Sequence, residues 1–458
     1  MAFLDAPVVS VAFPALHASF PSTSPTSLAW VLDAYFVGFA AFLVVAGKLS
    51  DRFGRRPMFL TGMSLFSLAS LGCAVAPSAG LLIAARAAQA IAAAMVVPSG
   101  QALMLSEFPA EERQKALGVL AALIGLATGF APTIGGVVVD TVGWRWVFYG
   151  NVFVGAAATL YGIRLLRGSE QPERAQRLPD LLGGALVAAG LSFLVLGILK
   201  TQGWGAGDPR TLGSFAVAVA CLAMFIVRCR RHPVPVLDLT LFADRTFAVA
   251  NLSSLVFALG LYGAMITQVL YFTSVWGLSV LSIGLAFAPA SILGAVVGVP
   301  AGRIAARNGP RGVAVAGSLA AAVGVAYIAL RSGATEHYVL DWLPGQLING
   351  VGVVAALTGL VGAALISAPP EQFALASGVN SAVRQVGGAV GVAIAVAIAG
   401  SVTGSDALTR GHEAFWVSTG GLLLAGVAAA FMRAPGAQPA RRGRPSFLWP
   451  TRGRPTES

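Results

Sequence analysis

Long apolar stretches alternate with short polar segments along the whole chain. An apolar run of about 20 residues can cross a bilayer as a helix, and fourteen such runs can be distinguished. They cover approximately residues 1–20, 27–47, 57–76, 80–104, 115–139, 146–166, 180–200, 211–229, 246–273, 279–301, 312–330, 338–366, 378–402 and 414–433. This pattern predicts an all-α integral membrane protein. Both termini should lie on the same side, because the number of spans is even.

The polar segment between the second and third runs is unusually rich in charge. Gly47 to Pro57 reads GKLSDRFGRRP and holds four cations and one acid. Each such charge costs about 3 kcal/mol at the centre of a bilayer, so we predict a short polar loop outside it. The cations place this loop on the cytoplasmic side. Asp51 is expected to pair with a neighbouring cation or to cap a helix.

A similar segment occurs 255 positions later, where Gly302 to Arg311 reads GRIAARNGPR. The residues that match without a gap are Gly47 and Gly302, Arg52 and Arg307, Gly54 and Gly309, and Arg56 and Arg311. Two such loops at equivalent places predict a duplicated membrane bundle, which is a transporter architecture. The alternative is two unrelated basic loops that follow the same charge rule.

The duplication divides the chain into two six-helix bundles. We assign residues 1–166 to the N-terminal bundle and residues 246–433 to the C-terminal bundle. Residues 167–245 are expected to hold two inserted membrane helices with cytoplasmic flanks. Residues 434–458 are basic and rich in Pro and Gly, which predicts a disordered cytoplasmic tail near lipid headgroups.

Composition and charge agree with a membrane protein. Of the 458 residues, 56% are hydrophobic and only 11% are charged, whereas soluble domains carry about 25% charged residues. The net charge is +11, but the cations are concentrated on one side. Loops assigned to the other side hold only Arg145, Lys200, Arg210, Arg331 and Arg410. This asymmetry predicts the cytoplasmic (inner) membrane, with both termini inside and anionic lipid as the partner rather than nucleic acid.

Motifs for other chemistry are missing from the sequence. The histidines, His17, His232, His337 and His412, lie at span ends or in loops without metal-ligand spacing. No phosphate-binding Gly-x-x-x-x-Gly-Lys-Ser/Thr run occurs, and no nucleophile–base pair is evident. We therefore expect no enzyme, no metal and no cofactor. An integral membrane enzyme is the weaker alternative.

Ionisable residues inside the spans are few. The first half has Asp5, Asp33 and Arg86. A carboxylate in a low-dielectric site can take up and release a proton near neutral pH, and a nearby arginine opposes its protonation until the two separate. This chemistry suits proton coupling or binding of a cationic substrate. The alternative is a fixed ion pair that only sets the register of the helices.

Small residues are concentrated in the fifth predicted span, where residues 125–136 read GLATGFAPTIGG. Gly129, Gly135 and Gly136 allow a neighbouring helix to approach closely, and Pro132 bends the helix. This pattern is compatible with a hinge or seal between the two halves, and equally with ordinary membrane-helix packing.

A polar group opens the thirteenth predicted span. Asn380, Arg384 and Gln385 precede the small residues of VGGAVG. Polar side chains followed by small ones suit a helix that borders a water-filled cavity, so these three are candidate cavity-lining residues.

These motifs together resemble a known family. Residues 47–57 resemble the loop signature of the major facilitator superfamily. Further stretches resemble its fourteen-span drug:proton antiporter branch: LDAPVVSVAFP at 4–14, RAAQA at 86–90, APTIGG at 131–136, RQVGG at 384–388 and WRWVFYGN at 144–151. Some residues depart from the family pattern, namely Pro7, Ser10, Ala131 and Phe153.

The resemblance implies proton-driven export of hydrophobic or cationic compounds by alternating access. Asp5 would be the proton- or drug-responsive acid and Arg86 the proton-relay arginine. The cytoplasmic gating loop would comprise Gly47, Asp51, Arg52, Gly54, Arg55 and Arg56. The expected partners are a drug-like small molecule, protons and membrane lipids, and the expected state is a monomer. The alternatives are a metabolite symporter or uptake permease on the same fold, and a transport-inactive membrane sensor.

Overall fold

The computed structural model describes residues 2–106, 130–166, 180–232, 239–367, 373–400 and 405–433, with Ala127, Pro235 and Leu237 as single positions. All regular secondary structure in these ranges is helical. The helices are α1 (Ala2–Val11), α2 (Phe13–Ser19), α3 (Pro25–Leu28), α4 (Trp30–Phe53), α5 (Arg55–Ala74), α6 (Ala79–Ser106), α7 (Phe130–Val142), α8 (Arg145–Leu165), α9 (Leu181–Trp204), α10 (Pro209–Arg231), α11 (Arg245–Ser274), α12 (Val280–Asn308), α13 (Pro310–Arg331), α14 (Leu343–Ile366), α15 (Phe373–Ala399) and α16 (Ser405–Ala429). A 3-10 turn (Leu239–Ala243) precedes α11, and a π-helical turn (Tyr338–Trp342) precedes α14.

The all-helical membrane architecture is confirmed, but the count of fourteen spans is not. In the described residues, 11 helices are long and apolar enough to cross a membrane. The first predicted span is split into α1 and α2, which meet at Ala12. Pro14 lies just after this break and has no N–H to continue the hydrogen-bond ladder. The last predicted span begins earlier than expected, because α16 starts at Ser405 and includes the charged residues Asp406 and Arg410.

The predicted polar loop at residues 47–57 is mostly helical, so that prediction was wrong in extent. Helix α4 continues through Phe53, and α5 begins at Arg55. Only Gly54 breaks the two helices, with φ +97° and ψ 141°. A helix can continue past the hydrocarbon because its side chains then reach water or headgroups. The turn needs positive φ, which glycine adopts without steric cost. Gly309 joins α12 to α13 in the same way, with φ +85° and ψ 156°.

The helices pack in two groups, with α9 and α10 beside them. In the first half, α6 packs against α4 and α5, and α5 packs against α8. In the second half, α11 packs against α15 and α16, and α14 packs against α12 and α13. Helices α4 and α15 contact each other across the two halves. Helix α9 packs against both of them, with α10 at its side. Helix α9 therefore lies along the line where the two halves meet, and α10 packs on α9.

Candidate functional site

A buried ion pair joins the start of the chain to the middle of α6. Nη1 of Arg86 donates a hydrogen bond to Oδ2 of Asp5. The two residues are 0% and 2% exposed, respectively. A single buried charge is far more costly than a hydrogen-bonded pair. The structure thus brings two of the predicted site residues into direct contact and shows that Asp5 is buried although it is near the terminus.

Three neutral polar side chains extend the pair of Asp5 and Arg86 into a network. Nδ2 of Asn151 in α8 donates to Oδ1 of Asp5 at 2.8 Å. Gln89 accepts from Nη1 of Arg86 at 2.6 Å and donates to Ser70 Oγ in α5 at 2.8 Å. The Nε2 of Gln89 also lies 3.4 Å from Oδ1 of Asp5. This network ties α1, α5, α6 and α8 together, so a change in the charge of Asp5 affects contacts on four helices.

Arg86 is also held from the side of α4. Its Nε donates to the backbone carbonyl of Val31 at 2.9 Å, and its guanidinium carbon lies 4.3 Å from the ring centroid of Tyr35. Nη2 of Arg86 has no hydrogen-bond partner within the described part of the chain. Arg86 is therefore both the partner of a buried carboxylate and a donor to a backbone carbonyl.

Asp33 differs from Asp5, because no partner faces its carboxylate among the residues that the structure describes. It is 0% exposed in the first turn of α4, and neither carboxylate oxygen accepts a hydrogen bond from the residues that the structure describes. One turn later on the same helix, the ring of Phe36 packs edge-on against Tyr262 of α11, with centroids 5.0 Å apart. A Cβ at Gly388 of α15 would lie 3.1–3.2 Å from these two rings. Asp33 therefore lies one turn from a point where both halves of the protein meet.

The small-residue stretch of α7 contacts both halves. A Cβ at Gly135 would lie 2.9 Å from the side chain of Val8 in α1. A Cβ at Gly136 would lie 2.7 Å from the Cα of Gly284 in α12. Oγ1 of Thr133 donates to the carbonyl of Gly284 at 3.0 Å. Pro132 belongs to the same crossing, because its carbonyl faces Gly284, whereas Gly129 lies outside the described residues.

The polar residues of α15 pack against α11. Nδ2 of Asn380 donates to Ser254 Oγ at 2.9 Å and to Asn251 Oδ1 at 3.2 Å. Arg384 donates to Oδ1 of Asn380 and, at 3.2 Å, to Oγ of Ser381. Gln385 is 8% exposed, and its Oε1 has no partner among the described residues. The structure brings Asn380 and Arg384 together, and a cavity-lining role for the three candidates stays a prediction.

Two cations of the basic segment, Arg55 and Arg56, bind helix ends of the first half. Nη2 of Arg56 donates to the carbonyl of Ile163 near the end of α8 at 2.8 Å, and Nη1 of Arg55 lies 3.5 Å from the carbonyl of Ala102 in α6. Cations are favourable at the carboxyl end of a helix. Gly47 lies against α6, because a Cβ added to Gly47 would be 3.7 Å from the Cβ of Pro98. The predicted pairing of Asp51 falls on a side chain outside the described part.

Sequence reasoning assigned no role to Gln89, Asn151 or Ser70. Gln89 lies three residues after Arg86, on the same face of the helix. A polar residue at that spacing could have predicted a contact between the two side chains. Asn151 lies on α8, far away in sequence, and nothing in its local pattern indicates that it contacts Asp5.

Comparisons with known proteins agree with this architecture. The family model of the Major Facilitator Superfamily matches residues 1–392 and 250–455. The multidrug resistance protein Stp of Mycobacterium tuberculosis is 33% identical over 388 residues, which cover 84% of this chain and 71% of that protein. The methylenomycin A resistance protein of Streptomyces coelicolor is 33% identical over 389 residues, covering 84% and 80% of the two chains. The puromycin resistance protein pur8 of Streptomyces alboniger is 34% identical over 395 residues, covering 84% and 76%.

A solved structure shares the fold. The crystal structure of the human organic anion transporter MFSD10 superimposes with a TM-score of 0.61, covering 93% of this chain and 98% of that one, at 15% sequence identity. The family model and the curated relatives confirm the recognition made from the sequence motifs. The chain belongs to the Major Facilitator Superfamily, as a transporter and not an enzyme.

Proposed function

We propose that the protein is a proton-coupled antiporter that exports small amphipathic or hydrophobic drug-like molecules, antibiotics among them. It works in the cytoplasmic membrane by alternating access, as a monomer with fourteen spans and both termini in the cytoplasm. The names of the relatives, which describe resistance to antibiotics and other drugs, support the substrate class. The buried pair of Asp5 and Arg86 is the observation that carries the proton coupling.

The pair couples protonation to helix position. While Asp5 is ionised, its attraction to Arg86 and its bond from Asn151 hold α1 against α6 and α8. A proton on Asp5 removes the attraction, and α1 is then free to move relative to the other two helices. The release of that proton restores the pair and resets the transporter. The same two residues serve both steps, so one buried contact is sufficient for a cycle.

Asp33 supplies a second carboxylate with different chemistry. An isolated carboxylate in a buried site is costly in its charged form, so Asp33 carries a proton unless a cation lies beside it. The cation can be the charged group of a substrate at the nearby contact between Phe36 and Tyr262. Competition between a proton and a cationic substrate for Asp33 would then contribute to exchange. The crossing of α7 with α12 would serve as the seal between the two halves.

Everted membrane vesicles test the direction and the coupling together. Acidifying the vesicle lumen should drive a fluorescent cationic dye into the lumen, and a protonophore should abolish this accumulation. Asp5→Asn should abolish gradient-driven accumulation. The matched control is Asp140→Asn, because Asp140 is an exposed acid on α7, and it should behave as wild type.

The alternatives predict different results. A symporter would move substrate out of the lumen together with protons under the same gradient. A transport-inactive sensor would give no accumulation with any variant. Dye accumulation that is indifferent to the protonophore and to Asp5→Asn would refute proton coupling.

A further inference from the structure

A groove lies between α9 and α10 at the end where α9 begins and α10 finishes. Its volume is about 510 Å³. The lining residues are Leu182, Leu186, Ala223, Met224, Val227, Arg228, Arg231 and His232. Five of the eight are apolar, and the three basic ones come last on α10 and just after it. The groove is therefore amphipathic along its length, with an apolar body and a cationic mouth.

The cationic mouth is built on a buried acid. Asp180 is 1% exposed and caps α9 by accepting from the N–H of Gly183 at 2.8 Å. The same oxygen accepts from Nε of Arg228 at 2.6 Å. This bond fixes the guanidinium from its Nε side, and the two terminal nitrogens make no hydrogen bond with the described residues. Arg228 thus lines the groove while both of its terminal NH₂ groups are left without a hydrogen-bond partner among the described residues.

The local charge balance favours an anion. Asp180 is the acid at this mouth in the described part of the chain, and Arg228 already neutralises it. Arg231 adds an exposed positive charge that has no ion-pair partner among the described residues. His232 adds a third basic group at the same end. One unbalanced cation beside an oriented guanidinium matches a phosphate, which binds arginine through charge-assisted hydrogen bonds.

The apolar body of the groove faces the bilayer. Leu182, Met224 and Val227 are 55%, 58% and 47% exposed, respectively. Both helices are long and apolar enough to cross a membrane, so these exposed side chains lie against acyl chains. A ligand for this groove must then satisfy a phosphate site and an apolar channel together.

We propose that the groove between α9 and α10 binds one anionic phospholipid, with its phosphate on Arg228 and Arg231 and an acyl chain along Leu186, Ala223 and Val227. Basic pockets between membrane helices are typical sites for anionic headgroups. Helix α9 packs against α4 and α15, so the lipid would brace the inserted pair against the line where the two halves meet. This role is separate from the proton and drug chemistry of the first half.

Native mass spectrometry of the full-length protein in detergent tests the proposal. Phosphatidylglycerol and phosphatidylcholine of the same chain length are titrated separately. Phosphatidylglycerol should bind at least about fivefold more tightly. Arg231→Gln should weaken its binding by about fivefold or more. Arg230→Gln makes the same change in charge at an exposed neighbour that does not line the groove, and it should change binding by less than about twofold.

A second pair of variants tests the apolar channel. Val227→Trp fills the groove and should reduce phosphatidylglycerol binding, whereas Ile226→Trp, at the adjacent exposed position outside the groove, should not. Equal binding of the two lipids would overturn the proposal, as would equal losses in Arg231→Gln and Arg230→Gln. Binding of glycerol 3-phosphate as tightly as phosphatidylglycerol would also overturn it, because the acyl chain would then contribute nothing to binding.

Discussion

Gly136 of α7 and Gly284 of α12 touch through their backbones, and a Cβ on either would lie 2.7 Å from the Cα of the other. One belongs to the first half of the protein and the other to the second. No side chain separates the two helices at this point, so their approach depends on the absence of two Cβ atoms. The small-residue stretch of α7 thus includes a direct backbone contact between the halves.

Adding one methyl group at this crossing should separate the helices. Gly284→Ala places a Cβ against backbone atoms, which cannot move aside as a flexible side chain does. Overpacking of this kind costs about 1–3 kcal/mol. We expect a lower unfolding temperature for the purified protein and reduced drug export. Gly150→Ala on α8 is the control, because an added Cβ there meets nothing within 4 Å. Equal effects of the two variants would contradict the importance of the crossing.

The two buried aspartates should respond oppositely to neutralisation. Asp5→Asn leaves Arg86 as a buried cation without its counterion, and breaking a buried pair costs about 3–5 kcal/mol. Asp33→Asn removes a carboxylate that has no hydrogen-bond partner in the described residues, so the variant should be as stable as wild type or more stable. Thermal unfolding of both purified variants in the same detergent at pH 7 measures the difference. A destabilised Asp33→Asn would mean that the carboxylate has a partner.

Arginine at position 86 should not be replaceable by lysine. Nε of Arg86 reaches the carbonyl of Val31, while Nη1 reaches Asp5 and Gln89. A lysine has one nitrogen and cannot span both sides. Arg86→Lys keeps the charge but loses at least one buried hydrogen bond, and an unsatisfied buried group costs about 1–3 kcal/mol. We expect slower gradient-driven export at normal expression. Wild-type transport in Arg86→Lys would show that charge alone is sufficient.

Stability at the start of α9 should depend on pH through Asp180. Burial raises the pKa of Asp180. The hydrogen bond from Gly183 and the hydrogen bond and charge of Arg228 together outweigh burial, so the pKa lies below its ordinary value. A carboxylate whose pKa is lowered by folding stabilises the folded protein. This stabilisation is fully present above the pKa of Asp in the unfolded chain, about 3.9, and it is lost as the pH falls through the pKa of the folded state. Wild type should lose more unfolding temperature between pH 5 and pH 3 than Asp180→Asn does. Parallel pH profiles would contradict this assignment.

The sequence predicted the membrane class, the duplicated basic segments and the contact between Asp5 and Arg86 as an option. Each of these depends on local signals, namely apolar runs, charge clusters and rare intramembrane charges. The partners Asn151 and Ser70 were missed because they approach Asp5 and Gln89 only through helix packing. The extent of the basic loop was wrong for a different reason: charge excludes residues from hydrocarbon, but it does not end a helix. Asp33 is fully buried, and no local signal predicts this, because the packing of α4 against other helices decides the exposure of the side chain.

The single-residue corners at Gly54 and Gly309 limit how the protein can move. At each corner a single glycine joins two membrane helices, and no further loop residues lie between them. A shift of α4 is therefore passed directly to α5, and a shift of α12 to α13. Each of these helical hairpins should move as one unit. A transport cycle in this protein must then tilt whole helix pairs or bend the helices themselves, because the one-residue connections cannot lengthen.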